Sequence, residues 1–94
     1  MNTQLLEQPS VLEIAQSLAT RVRQRRKQRG FSQRELSRRA DVSLASLRRF
    51  EGTGEISLKS LIKIGVALGY EGDFEQVFAR RGYQSIAEVI DEQR

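Results

Sequence analysis

The 94-residue chain reads as an all-α domain of five or six short helices around one small core. Three observations predict this. Ser-x-x-Glu occurs at Ser10–Glu13, Ser32–Glu35 and Ser85–Glu88, where the Ser side chain can accept from the N3 amide and the Glu can reach back to the N-cap amide. A helically periodic apolar pattern follows each of these boxes. Finally, the two-residue alternation of a half-buried strand is missing throughout.

The first helix is expected from about Val11 to about Gln28. Val11, Ile14, Ala15, Leu18 and Val22 form one stripe of a 3.6-residue helix. Pro9 stands before the cap, where it does no harm. Gly30 is a natural C-terminal stop, and the basic residues of the last turns suit the negative end of the helix dipole. The second helix is expected from Ser32 to Arg39 or Ala40, with Leu36 and Ala40 inward and Phe31 as a hydrophobic staple. After the short Asp41-Val42 linker, Ser43 caps a third helix reaching about Glu51, with Leu47 and Phe50 buried and Gly52-Thr53-Gly54 ending it. Ser57 caps a fourth helix carrying Leu58, Leu61, Ile62, Ile64 and Leu68, stopped by Gly69. A turn over 70–73, a short helix over 74–79 and a last helix from Ser85 through Ile90 complete the reading.

Composition excludes much chemistry. With neither Cys nor His, there is no disulfide, no thiol nucleophile, no Ser-His-Asp triad and no ordinary transition-metal site. No paired carboxylates stand in an apolar setting, so no enzymatic activity, metal or cofactor is expected. No apolar run is long enough to span a bilayer and no signal-peptide pattern opens the chain, which predicts a soluble, cytoplasmic protein.

Charge instead points to a polyanionic partner. Between Arg21 and Arg49 stand Arg21, Arg23, Arg25, Arg26, Lys27, Arg29, Arg34, Arg38, Arg39, Arg48 and Arg49 against only Glu35 and Asp41, whereas the rest of the chain is acidic on balance. Most of these cations are Arg, whose planar fork suits phosphate and guanine. The segment Gln33–Phe50 has the layout of a helix-turn-helix: two short helices, small Ala40 at their approach, and Val42 plugging the turn.

Residues from about Val22 to Leu68 resemble the helix-turn-helix domain of the Cro and CI phage repressors and the wider XRE-like family of bacterial regulators. The resemblance is carried by Arg26-x-x-x-Gly30-Phe31-Ser32-Gln33-x-Glu35-Leu36, then Ala40-x-Val42-Ser43, then Leu47-x-x-Phe50-Glu51, then Ser57-Leu58-x-x-Leu61 and Ala67-Leu68-Gly69. It implies a lambda-repressor-like DNA-binding domain over 11–69, with the helix-turn-helix at 32–51, an N-terminal extension over 1–10 and a helical C-terminal extension over 70–94. The loop Gly52–Ile56 departs from the family pattern, being shorter and lacking its Pro, so no role is carried over to it. A narrower resemblance, in Phe50-Glu51 and Thr53–Leu58, is to HipB-like antitoxins encoded beside HipA-type kinase toxins.

Helical geometry places Leu47 and Phe50 on the buried side of the third helix, with Leu44, Ala45, Arg48 and Arg49 opposite or beside that face. These four are the expected base contacts: Arg49 can donate twice to guanine O6 and N7, Arg48 can reach a base or a phosphate, and Leu44 and Ala45 suit a thymine methyl. Expected phosphate contacts are Arg23, Lys27, Ser32, Arg34, Arg38, Ser43 and Ser46, the serines serving as caps as well, and the resemblance implies a phosphate contact for Gln33 too. The resemblance also implies a structural ion pair between Arg26 and Glu51.

The expected function is therefore a sequence-specific repressor acting on double-stranded DNA as a homodimer at a palindromic operator, in the bacterial cytoplasm at the nucleoid. The narrower resemblance implies an autoregulatory antitoxin of a type II toxin-antitoxin system, with a HipA-like kinase as its toxin partner. A stand-alone phage or mobile-element repressor is the near alternative. A toxin-neutralising protein-binding module without DNA binding is the alternative of another class. The acidic C-terminal extension, with Ile86, Val89 and Ile90 on one helical face, can complete the core, contact a second protomer or dock a protein partner.

Overall fold

The computed structural model describes residues 8–82, which form five helices and no strand: α1 (Val11–Gln28), α2 (Gln33–Ala40), α3 (Leu44–Thr53), α4 (Leu58–Leu68) and α5 (Glu71–Phe74). The fold class is all-α, as the capping and periodicity predict. The capped helix expected from Ser85 lies outside the described residues.

Serine caps set four of the helix starts. Ser10, Ser32, Ser43 and Ser57 hold extended backbone, and each hydroxyl accepts from the amide three residues on. The Ser10 box is complete, with Glu13 reaching back to the Ser10 amide at 2.8 Å. Ser32 forms only its own half of the box, because the Glu35 carboxylate accepts from Arg38 and Arg39 instead. The Arg38 bond first, then that of Arg39, holds the Glu35 carboxyl below its ordinary value. Its contribution to stability is thus present above the usual carboxylate range and fades as pH falls through the lowered value.

The core is Ala19, Leu36, Ala40, Leu47, Phe50, Ile64 and Leu68, with Leu18, Val22, Phe31, Val42, Ile56, Leu61 and Ala67 packed around it. α1 lies on α3, α2 on both α3 and α4, and α4 on α5. Ala40 is buried where α2 meets its neighbours, and the Val42 amide closes the turn onto the Ser37 carbonyl at 3.0 Å. Asp41 makes that turn in the left-handed region, φ +57°, a conformation short polar side chains tolerate better than most. Phe31 sits half-buried between the guanidinium groups of Arg29 and Arg39, at 5.1 and 4.5 Å from its ring centre.

Three local expectations are corrected. The α1 stripe does not bury along its whole length: Val11 and Ile14 are exposed, and the core side begins at Ala15. The turn after α3 meets α1 at Ala15, so the first turn of α1 runs past its neighbours. α3 runs two residues past Glu51 to Thr53, because Gly54, the last residue of the Gly52-Thr53-Gly54 stop, takes the left-handed cap and its amide bonds the Phe50 carbonyl. The short helix expected at 74–79 lies earlier, at Glu71–Phe74. Gly65 leaves a slot where the Phe74 ring lies in place of a Cβ, which holds the chain against α4 immediately after Gly69. Phe78 then adopts φ +60°, which no right-handed helix can continue through.

Gly54 is the tightest of these positions. Its φ is +85°, and a Cβ there would stand 2.9 Å from the Ala15 backbone carbon. Gly54→Ala should lower stability by about 1–3 kcal/mol, from strain at positive φ and from pushing α3 off α1. Thermal melting of the variant checks this, and a melting temperature equal to the parent's would contradict it.

Candidate nucleic-acid interface

The interface is built on α3 and on the ends of α1 and α2 that flank it. With Leu47 and Phe50 inward, α3 leaves Ala45, Arg48 and Arg49 exposed and Leu44 and Ser46 half-buried. A cleft of about 510 Å³ adjoins this face, lined by Arg23, Arg26, Ser32, Gln33, Arg48, Glu51 and Gly52. It gathers residues from α1, α2 and α3 that lie far apart in sequence.

One hydrogen-bonded chain forms the floor of the cleft. Arg26 donates to Glu51 twice, Nε to Oε2 at 2.7 Å and Nη2 to Oε1 at 3.0 Å, and its Nη1 donates to the Phe31 carbonyl at 2.8 Å. The two side chains are only 8% and 4% exposed. Gln33 Nε2 donates to Glu51 Oε1 at 2.9 Å, and Arg48 Nε lies 3.4 Å from Gln33 Oε1. Glu51 therefore settles which way the Gln33 amide points. Its oxygen faces Arg48, and one amide hydrogen is left to donate elsewhere. In the sequence the ion pair and Gln33 stand as separate features. The family resemblance implies the pair, but no local signal joins Gln33 to it, because that bond spans eighteen residues.

The other expected contacts sort by surroundings. Arg23 lines the cleft, while Lys27 and Arg34 are exposed beside it in sequence on α1 and α2. Arg38 is exposed and paired with Glu35. Ser32 and Ser43 are occupied as caps, and the Ser43 hydroxyl also donates to Ser46 Oγ at 2.8 Å. Arg49 is paired with Glu55, a partner in the Gly52–Ile56 loop that departs from the family pattern. On the α2 side of the turn, Lys63 Nζ donates to the Asp41 carbonyl at 3.2 Å.

The arrangement is that of two helices with a three-residue turn, the second presenting a basic face. The profile of a family described as helix-turn-helix matches residues 22–74, more than half of the chain. The chain belongs to the helix-turn-helix family. Within that family it is of the Cro/CI-like class, DNA-binding regulators of transcription. No match was found among curated proteins. The helix-turn-helix match runs through α5 and so takes in Phe74 on Gly65. Among the described residues no helix is long and apolar enough to cross a membrane.

Breaking the buried pair of this helix-turn-helix domain should be costly. Glu51→Ala leaves the Arg26 guanidinium buried with one carbonyl partner and should destabilise by about 3–5 kcal/mol. Urea denaturation measures it, and a loss under about 1 kcal/mol would show that Arg26 escapes to solvent.

Proposed function

We propose that the protein is a sequence-specific transcriptional repressor that binds a palindromic operator as a homodimer and has no catalytic activity. The observation that carries the reading is the joining of the exposed Ala45-Arg48-Arg49 face of α3 to the cleft of Arg23, Ser32 and Gln33. A helix entering the major groove needs base-reaching side chains on its outer face and phosphate donors at its flank. Here both are supplied by one rigid unit. In this reading Arg49, Arg48, Ala45 and Leu44 meet base edges. Arg23, Lys27, Arg34, Arg38, Gln33 and the Ser32, Ser43 and Ser46 hydroxyls serve the backbone.

The homodimer follows from size. One recognition helix reads only a few base pairs, and two-fold symmetry places a second about one DNA turn away, roughly 34 Å. Leu58, Ile62, Val66 and Tyr70 stand exposed at four-residue spacing along α4 and its end, apolar surface of the kind a second copy can cover. Within this reading we favour an autoregulatory antitoxin, on the narrower resemblance of Phe50–Leu58 to HipB-like proteins, with a HipA-like kinase as the toxin. A pure protein-binding module is disfavoured by the intact basic cleft.

Two measurements test the function. Arg49→Ala should weaken specific binding by about 1–3 kcal/mol and relax preference at one base pair, whereas Arg23→Ala should weaken all sequences alike and reduce the salt slope by about 0.9. Uniform loss of affinity in Arg49→Ala, with discrimination intact, would remove Arg49 from base contact. Sedimentation equilibrium should give twice the 10.7 kDa chain mass, and a monomer on operator DNA would refute the dimer.

A further inference from the structure

We propose that Glu55 is a positioning residue for base recognition, holding the Arg49 guanidinium by one edge so that its remaining donors meet a single base pair. The inference rests on the reading above, in which α3 enters the major groove. Arg49 Nη2 donates to Glu55 Oε1 at the surface, with side chains 68% and 63% exposed. The pair is therefore not part of the core. An exposed pair between two flexible side chains ordinarily adds little, because holding both in one geometry costs entropy.

The backbone on both sides of this pair is already fixed. Thr53 Oγ1 donates to the Arg49 carbonyl at 2.7 Å and accepts from the Glu55 amide at 3.1 Å. Gly54, between them, is pressed against the Ala15 backbone. One hydroxyl thus ties the residue that carries the guanidinium to the residue that carries the carboxylate. The pair also forms one side of a polar groove shared with Ser46, Ser57 and Ser60.

A guanidinium offers five N–H donors in a planar fork. Guanine O6 and N7 take two of them. A carboxylate on another fixes the plane of the fork before DNA arrives, so less freedom is lost on docking. The same carboxylate is repelled by phosphates and adds no general affinity. Its effect is confined to discrimination at the base pair that Arg49 reads.

The test uses the full chain and a binding site selected by it from randomised duplexes, with single-base-pair variants of that site. The base pair in question is the one at which Arg49→Ala loses discrimination. Glu55→Ala should lose about three- to tenfold of the discrimination at that base pair and no other. Its melting temperature should be unchanged, and its binding to unrelated duplex equal or tighter. Glu55→Gln keeps an acceptor oxygen in place and should recover part of the loss. In the Arg49→Ala background, Glu55→Ala should change nothing further at that position. A uniform rise in affinity for every duplex, with discrimination kept, would make Glu55 a mere competitor for Arg49 and overturn the proposal. Loss of discrimination spread over several base pairs would overturn it too, as would an Arg49→Ala variant that relaxes none. A wild-type chain that selects no sequence would instead bring down the functional reading itself, a result distinct from selection by the wild type with an indifferent Glu55→Ala.

Discussion

The fold and its basic face both depend on one buried ion pair. Arg26 sits near the end of α1 and Glu51 near the end of α3, and their bonds reach the Phe31 carbonyl and the Gln33 amide as well. Four elements of the chain therefore meet at one carboxylate and one guanidinium: α1, the turn after it, the start of α2, and α3. A buried pair of this kind adds little net stability over apolar packing. What it supplies here is geometry. Hydrocarbon side chains at these two positions could fill the same space, but they could not fix the orientation of Gln33 or bring its oxygen to face Arg48. The cost of keeping charge inside a small domain is set against a defined cleft surface, not against the melting temperature.

Around that pair, short-range signals set the lengths of the helices. Serines start four of them, and glycines in left-handed conformation stop three, at Gly30, Gly54 and Gly69. Gly54 and Gly65 have a second role, since each lets another part of the chain come close: the Ala15 backbone in one case, the Phe74 ring in the other. With so few large side chains in the core, these close approaches take the place of volume. They also make the angle between α1 and α3 a property of backbone contact. That angle carries the α3 face relative to the basic end of α1.

What could be read from sequence follows the same division. The all-α class, the starts of α1 to α4 and the Ser10 box were legible because capping is a matter between residues three apart. The basic face of α3 was legible because helical geometry fixes direction once Leu47 and Phe50 are known to be inside. The placement of α5 was not, because it depends on the missing side chain of Gly65, one turn before the end of another helix. The exposure of Val11 and Ile14 was not, because periodicity says which side of a helix is apolar and not how far along it a neighbour extends. Glu35 fitted the capping pattern equally well whether it bonded the Ser32 amide or its own Arg38 and Arg39. Two guanidinium groups on the next turn win, since both donors are charged and together they take both carboxylate oxygens, whereas the Ser32 amide offers one neutral donor.

Burial then separates the arginines into two populations that the composition alone merges. Arg26 is buried, and its Nε, Nη1 and Nη2 all donate inside the domain. Arg38 and Arg49 carry carboxylate partners at the surface, where such pairs add little and are screened by salt. Such a guanidinium keeps donors beyond the one its carboxylate takes, so a phosphate or a guanine edge can share it. The acids within and beside the basic block therefore do not cancel its attraction for DNA. They hold extended side chains in limited sets of orientations in which the remaining donors stay open. A surface organised in this way has a fixed base, set by Arg26 and Glu51, and an outer layer of side chains held by one edge, and it is the fixed base that sets where their open donors stand.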